Sequence, residues 1–195
     1  MRYIVGLGNP GREYEKTRHN TGRILATLFA EHLKLKDFER DEKLNAQKTE
    51  GKIGREKFAI ILPDTFMNKS GNSLKSLINS KVKAKNLIVI HDDLGLPFGK
   101  IKISFGRNSG GHRGVESIIR AVKTKDFLRL RIGISPLAPS GKLKKPQGEQ
   151  KIEKLILSNF TPEENKKINA LTEKVSQALA TTIIKNYQTA SSQLN

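Results

Sequence analysis

The chain contains no cysteine and no tryptophan. Without Cys there is no disulfide framework, no thiol nucleophile, no thiolate zinc site and no iron–sulfur cluster. Aromatic residues are few, at 6%, and acidic ones are outnumbered, 19 Asp and Glu standing against 36 Lys and Arg. No run approaches the about 18 consecutive apolar residues of a membrane span. Met1-Arg2-Tyr3-Ile4-Val5-Gly6 runs straight into a strand-like segment, so no export leader is expected. What is present is 195 residues, 36% hydrophobic. That suffices for one domain burying roughly 70% of the surface its unfolded chain exposes. The composition predicts a cytoplasmic globular protein.

The formal net charge of +17 and the isoelectric point near 10.1 suit a polyanionic partner such as nucleic acid. Lys is nevertheless spread over the whole chain, as on any solvated surface. Charge alone leaves both readings open.

Arg2–Leu7 reads as a buried strand ending at the turn Gly8-Asn9-Pro10-Gly11. Ile24, Leu25, Leu28, Phe29 and Leu33 follow at helical spacing. Two strands are expected within Ala46–Leu62, and a helix after Phe66-Met67-Asn68 carrying Leu74, Leu77 and Ile78. Leu87–Ile90 is wholly apolar, as buried parallel strands are, and ends in His91-Asp92-Asp93. Lys100–Phe105 and Phe127–Ile134 alternate as half-exposed strands, with a helix through Val115, Ile118, Ile119 and Val122 between them. Strands interleaved with helices predict a single-domain α/β fold, a three-layer α/β/α sandwich around a mixed, mostly parallel twisted sheet. Residues 135–148, with three Pro and several Lys, read as a mobile basic loop. Thr161-Pro162-Glu163-Glu164 opens a C-terminal helix over 161–190, and 191–195 reads as a frayed tail.

Gly6-Leu7-Gly8-Asn9-Pro10-Gly11 matches the dinucleotide pattern G-x-G-x-x-G, but Arg12–Arg18 intervenes before any helix. The pyrophosphate would then meet no helix N-terminus, so no dinucleotide or other cofactor is expected. Sites in open α/β sheets form beyond the carboxyl ends of strands. There lie Asn9, Asn68 and Asp92, with His19-Asn20 and Gly110-Gly111-His112-Arg113 each standing before a helix. His32 sits beside Leu28 and Phe29, as a boundary or core histidine would, and His91 is as readily structural as functional. His112 follows two glycines, a place for close backbone approach. His91, Asp92 and Asp93 offer metal-ligand chemistry, but consecutive strand residues face opposite ways and cannot chelate together. No metal is expected.

These blocks, taken in order, resemble the bacterial-type peptidyl-tRNA hydrolase family. The resemblance rests on Gly6–Gly11 with Tyr14 and Thr17-Arg18-His19-Asn20, then Pro63–Gly71, His91-Asp92-Asp93-Leu94, Ser109–Gly114 and Arg129–Ile134, spanning essentially the whole chain. It implies hydrolysis of the ester between a peptide and the 3′-terminal ribose of tRNA. In that role His19 is the base for water, Asp92 its partner, and Asn68 a donor near the scissile carbonyl. Asn9 reads the blocked amino end, while Tyr14, Phe66 and Met67 wall the terminal nucleotide or peptide. His112 and Arg113 fall among the tRNA-contacting residues, and Arg131 is half of a clamp on the 5′ phosphate.

Two departures stand out. Relatives often carry Asn where Arg113 stands, and some carry a basic residue in place of Ser104; Lys102, two residues away on the same strand face, is positioned to substitute. The implied protein is a monomer acting on peptidyl-tRNA, through its acceptor stem, 3′ end and 5′ phosphate, with no membrane and no obligate protein partner. The competing reading is a non-catalytic RNA-binding relative of the splicing-factor type. Such a protein has no need of both His19 and Asp92.

Overall fold

Apolar runs and turn residues divide the chain into seven strands. They are β1 (Arg2–Gly6), β2 (Glu39–Asp41), β3 (Ala46–Ile53), β4 (Glu56–Pro63), β5 (Leu87–Pro97), β6 (Ile101–Phe105) and β7 (Leu128–Ser135). In the computed structural model, which describes residues 1–194, these form one sheet in the order β2-β3-β4-β1-β5-β7-β6. The four central strands, β4, β1, β5 and β7, run parallel to one another; β3 on one flank and β6 on the other run against them, and β2 pairs antiparallel with β3. The expected mixed sheet is therefore a parallel centre with antiparallel margins. The outermost strand β2 is short and charged, which discourages further pairing.

Helices cover both faces. On one side α1 (Thr21–His32) and α5 (Pro162–Ile184) bury Leu25, Phe29, Ile168, Val175 and Leu179 against Ile4, Phe58, Ile60 and Ile90. On the other, α3 (Arg113–Val122) and a 3-10 stretch, Met67–Leu74, enclose Val5, Ile61, Val89, Val115 and Ile118. Alternate residues of the central strands thus feed opposite cores, as a pleat requires.

Four expectations need correction. The helix after Asn68 is 3-10, not α, and only the four-residue α2 (Lys81–Ala84) follows. Asn68-Lys69-Ser70-Gly71-Asn72-Ser73 is poor helix material, and Gly71 is pressed against Ser117, where a Cβ would lie 2.2 Å from its carbonyl oxygen. The C-terminal helix breaks at Lys185, whose φ and ψ of −107° and −94° are not helical, and Asn186 then caps α6 (Tyr187–Gln193). Residues 191–193 are accordingly helical rather than frayed; Asn195 lies outside the described residues. His32 is exposed at the last turn of α1, not a core histidine. Residues 136–147 are a largely exposed connection with one bridge, Leu137 to Leu143, before Gly148 opens α4 (Glu149–Ile156).

One contact sets the geometry of everything above the sheet. A Cβ on Gly22 would lie 2.1 Å from the Ile90 carbonyl oxygen and 2.7 Å from the Leu7 amide nitrogen. Lacking one, α1 rests its first turn directly on the carboxyl end of β1 and on Ile90 within β5. Arg23 N–H donates to Leu7 at 2.8 Å, and Leu7 N–H to Ile90 at 3.0 Å. Gly22→Ala should lower stability by about 1–3 kcal/mol, the usual cost of overpacking, read as the thermal midpoint. A variant that melts with the parent would show that the helix end has room to move.

Candidate active site

Because α1 starts so close to β5, the short 3-10 turn Arg18–Asn20 before it lies over the middle of that strand, beside Asp92. His19 on the turn and Asp92 on β5 are both buried, 6% and 2% exposed. His19 Nδ1 stands 3.0 Å from each carboxylate oxygen of Asp92. The imidazole therefore donates its Nδ1 proton to the carboxylate, leaving Nε2 on the cavity wall with no hydrogen bond to the protein.

Asp92 has a second imidazole partner. His112 Nε2 lies 2.9 Å from Asp92 Oδ1. His112 is also the N-cap of α3, its Nδ1 accepting from the amides of Gly114 and Val115 at 3.1 and 3.3 Å. Those two donors fix the tautomer: the proton sits on Nε2 and points at the carboxylate. Sequence spacing placed His112 in a tight glycine loop but gave no sign of this bond. Burial alone would raise the Asp92 carboxyl; His19 and His112 overcome that and hold it well below the usual carboxylate range.

His19, Asp92 and His112 bring their ligand atoms within 4.8 Å of one another, close enough to suggest a divalent ion. This is a different trio from His91, Asp92 and Asp93. Its proton inventory is wrong for a metal. A ligating histidine donates its other N–H outward, whereas the other nitrogen of His112 faces two amide donors. Metal on Nε2 would demand an imidazolate or the loss of the α3 cap. The cluster is built as a hydrogen-bonded His–Asp–His chain.

The surrounding cavity, of about 750 Å³, gathers most of the residues singled out in the sequence. Asn9 Oδ1 accepts from Met67 N–H at 2.8 Å, so the side-chain NH₂ is the part left to meet a ligand. Asn20, placed beside His19 at the candidate cleft but given no role by the sequence, brackets Asn9 from both sides, accepting its N–H at 2.8 Å and donating to its carbonyl at 2.9 Å. Tyr14 and Phe66 meet edge to face, 6.4 Å between centroids, and Phe66 is 57% exposed. Met67 is buried beneath them, and Asn68 is exposed at the cavity wall. Arg113 lies at the rim, paired with Glu149 of α4. That helix, unassigned in the sequence, supplies an apolar wall through Ile152, Ile156 and Leu157.

Lys102 lies instead in a second, basic cavity of about 550 Å³. Asp93 and Arg131 line both cavities. Arg131 Nε donates to Asp93 at 2.6 Å and Nη1 to Ser104 Oγ at 3.1 Å. Lys102 stands opposite Arg131 in the β6–β7 register, and Ser104 opposite Arg129. Arg129 is the residue the sequence reading missed. It is 3% exposed, bonds the Asn108 carbonyl at 2.8 Å, and leaves its Nε buried without a partner. The signal was there, since Arg129 and Arg131 alternate on one face of an amphipathic strand. Burial, then the neighbouring Arg131, push the Arg129 guanidinium below its ordinary range.

His91 is structural. Its Nδ1 donates to the Asp92 carbonyl at 2.7 Å, its Nε2 is buried without a partner, and its ring meets that of His112 at 4.7 Å. Burial, reinforced by His112, pushes it down to about 3. A base lowered in this way binds its proton in the unfolded chain first, so stability is lost as pH falls below about 6.5, by up to about 1.4 kcal/mol per pH unit. His91→Gln should therefore melt with a shallower pH dependence than the parent between pH 7.5 and 5.0. Parallel curves would mean that His91 is protonated in the fold.

A family profile described as peptidyl-tRNA hydrolase matches residues 3–195. A peptidyl-tRNA hydrolase of Thermodesulfovibrio yellowstonii is 42% identical over 187 residues, covering 94% of this chain and 91% of that protein. One of Aquifex aeolicus is 38% identical over 180 residues, covering 92% and 88%. The crystal structure of peptidyl-tRNA hydrolase from Acinetobacter baumannii superposes with a TM-score of 0.87 at 27% identity, across 100% of this chain and 94% of that one. With the whole length of the chain matched in sequence and in fold, it belongs to the peptidyl-tRNA hydrolase family.

Proposed function

We propose that this chain hydrolyses the ester joining a peptide, or an N-blocked aminoacyl group, to the terminal ribose of tRNA, with water activated by His19. The observation that carries the reading is the buried His19–Asp92 pair, whose free Nε2 opens on a cavity wide enough for the end of a peptidyl-tRNA. Water replaces the serine of a Ser-His-Asp arrangement. Nε2 takes a proton from the water as its oxygen attacks the ester carbonyl. Asp92 accepts the hydrogen bond from Nδ1–H throughout and stabilises the imidazolium. The Asn68 amide donates to the oxyanion, being neutral and directional. Collapse breaks the bond to the ribose oxygen, which leaves with the proton returned by His19, giving free tRNA and a peptide acid. The Asn9 NH₂ meets a carbonyl oxygen of the peptide, because its own carbonyl is committed to Met67. A binding-only relative would need none of this proton geometry.

The 5′ phosphate fits the basic cavity. Arg131, aimed by Asp93 and Ser104, is one half of the clamp. Arg129, opposite Ser104, supplies a buried guanidinium where relatives carry a basic side chain, and Lys102 adds charge at the rim.

Purified protein should release tRNA from N-acetyl-aminoacyl-tRNA. His19→Ala should reduce kcat about 10²–10⁴-fold, the range of general-base help, and Asp92→Asn somewhat less. Turnover should survive EDTA. Activity lost to chelation and restored by zinc, or a His19→Ala enzyme as fast as the parent, would overturn the mechanism.

Grip on tRNA is read separately. Arg131→Ala, Arg129→Gln and Lys102→Ala should raise KM with little change in kcat, as loss of uniform binding requires. Each should also lower the slope of log affinity against log salt by roughly one phosphate contact. If substitution at Arg107 or Arg113 weakens binding while these three do not, the phosphate lies elsewhere.

A further inference from the structure

One buried charged group at the site has no task in the reaction. Arg18 precedes His19, is 9% exposed, and faces away from the cavity toward the α4–α5 junction. Its guanidinium forms a two-pronged bond to Glu164, Nη1 to Oε1 at 2.9 Å and Nη2 to Oε2 at 2.8 Å. Nε donates to Ser158 Oγ at 3.2 Å, and the guanidinium carbon lies 4.9 Å from the centroid of the Phe160 ring. The backbone repeats the connection. Arg18 N–H donates to the Ser158 carbonyl at 3.0 Å, Phe160 N–H to that of Lys16 at 3.1 Å, and Thr17 bridges Asn159.

Glu164 is itself held in place. As the third residue of α5 it closes a capping box with Thr161, Oε2 accepting the Thr161 amide at 2.9 Å while Glu164 N–H donates to Thr161 Oγ1 at 3.2 Å. Burial would raise its carboxyl; the bonds from Arg18 and Thr161 hold it lower. The carboxylate thus bolts a 23-residue helix to the turn that carries the base. The same segment is the direct continuation of α4, whose Ile152, Ile156 and Leu157 wall the cavity.

A three-residue 3-10 turn has few internal bonds to define the direction of its middle side chain. The His19 side chain hydrogen-bonds only to Asp92 and otherwise meets the His112 ring at 4.9 Å between centroids, so its aim depends on its neighbours. Asn20 secures one side through Asn9. The other side is secured by Arg18.

We infer that Arg18 is a positioning residue. Through Glu164 and Ser158 it holds His19 in the orientation that keeps Nδ1 on Asp92 and Nε2 toward the substrate, and it ties that orientation to the α4 wall of the cavity. The inference rests on the proposed role of His19 as base. Its effect belongs to the chemical step: a base turned by a fraction of an ångström still leaves the tRNA and peptide contacts intact.

The test uses two variants of the whole protein. Arg18→Met keeps an apolar stem over Phe160, and Glu164→Gln keeps an acceptor for the α5 cap while removing the charged fork. On N-acetyl-aminoacyl-tRNA, Arg18→Met should lower kcat about tenfold and Glu164→Gln about threefold, with KM within about twofold of the parent. The readout specific to positioning is the proton NMR signal of the His19 Nδ1–H shared with Asp92, assigned by its disappearance in His19→Ala. It should be sharp in the parent and broadened or lost in both variants. Should Arg18→Met fail to fold, Glu164→Gln carries the test. Unchanged kcat and an intact signal in a folded variant overturn the inference. So does a lower thermal midpoint with the signal unmoved, which marks Arg18 as structural support. A parent that does not turn over the substrate at all removes the proposed hydrolysis, while the Nδ1–H signal still decides whether Arg18 aims the ring.

Discussion

A single buried carboxylate carries the architecture of the site. Asp92 accepts from two imidazoles whose positions in the chain are 73 and 20 residues away. One comes from the turn before α1, the other from the cap of α3, so helices on opposite faces of the sheet are joined at the middle of β5. Without that carboxylate, His19 Nδ1–H and His112 Nε2–H would both lose their acceptor. A buried donor left unmatched costs about 1–3 kcal/mol. The interaction that orients His19 is therefore also one of those that close the top of the fold. Neither role can be altered alone.

Much of this was legible in the sequence because local pattern and tertiary position coincide in parallel strands. Leu87–Ile90 could only be a buried strand, and polar residues at its carboxyl end had to face the crevice where such sheets bind ligands. Gly110-Gly111-His112 marked a tight loop before α3, and the two glycines there take φ of 65° and 85° with open space around them. What the sequence concealed depends on side chains meeting across the fold. The second bond to Asp92 exists because His112 happens to cap α3. The wall supplied by α4 requires knowing where a long connection lands. Asn68-Lys69-Ser70-Gly71 carries helix-like apolar spacing downstream, yet close packing on Ser117 forces the tighter 3-10 path. Nor does the periodicity of the last helix reveal its break at Lys185, because Ala190 beyond the break is buried as it would be in a continuous helix.

The +17 charge acquires meaning only when located. Most of it is dispersed, but in the basic cavity burial, and after it the neighbouring Arg131, disfavour the charge of Arg129. Asp93 offsets part of this. Burial and the fork from Arg131 act on its carboxyl in opposite senses, the arginine prevailing, so that it stays below its usual range. An anion bound there would relieve the remaining repulsion, while the Arg129 Nε stays buried without a partner. A positive imbalance is thus already present in the folded protein.

The adjacency of Asp92 and Asp93 has a consequence for how the family can vary. On a pleated strand the two carboxylates have opposite parity: one serves the imidazoles, its neighbour the guanidinium of Arg131. Deleting one residue upstream in β5 would advance Asp93 into the place of Asp92, and a carboxylate would still face His19. The arginine would lose its acceptor, and Asp92 would be driven into the dry space that His91 fills. Such a chain would keep a carboxylate at His19 while losing the one that orients Arg131. The count of residues in β5 is therefore held fixed by two adjacent carboxylates with different partners.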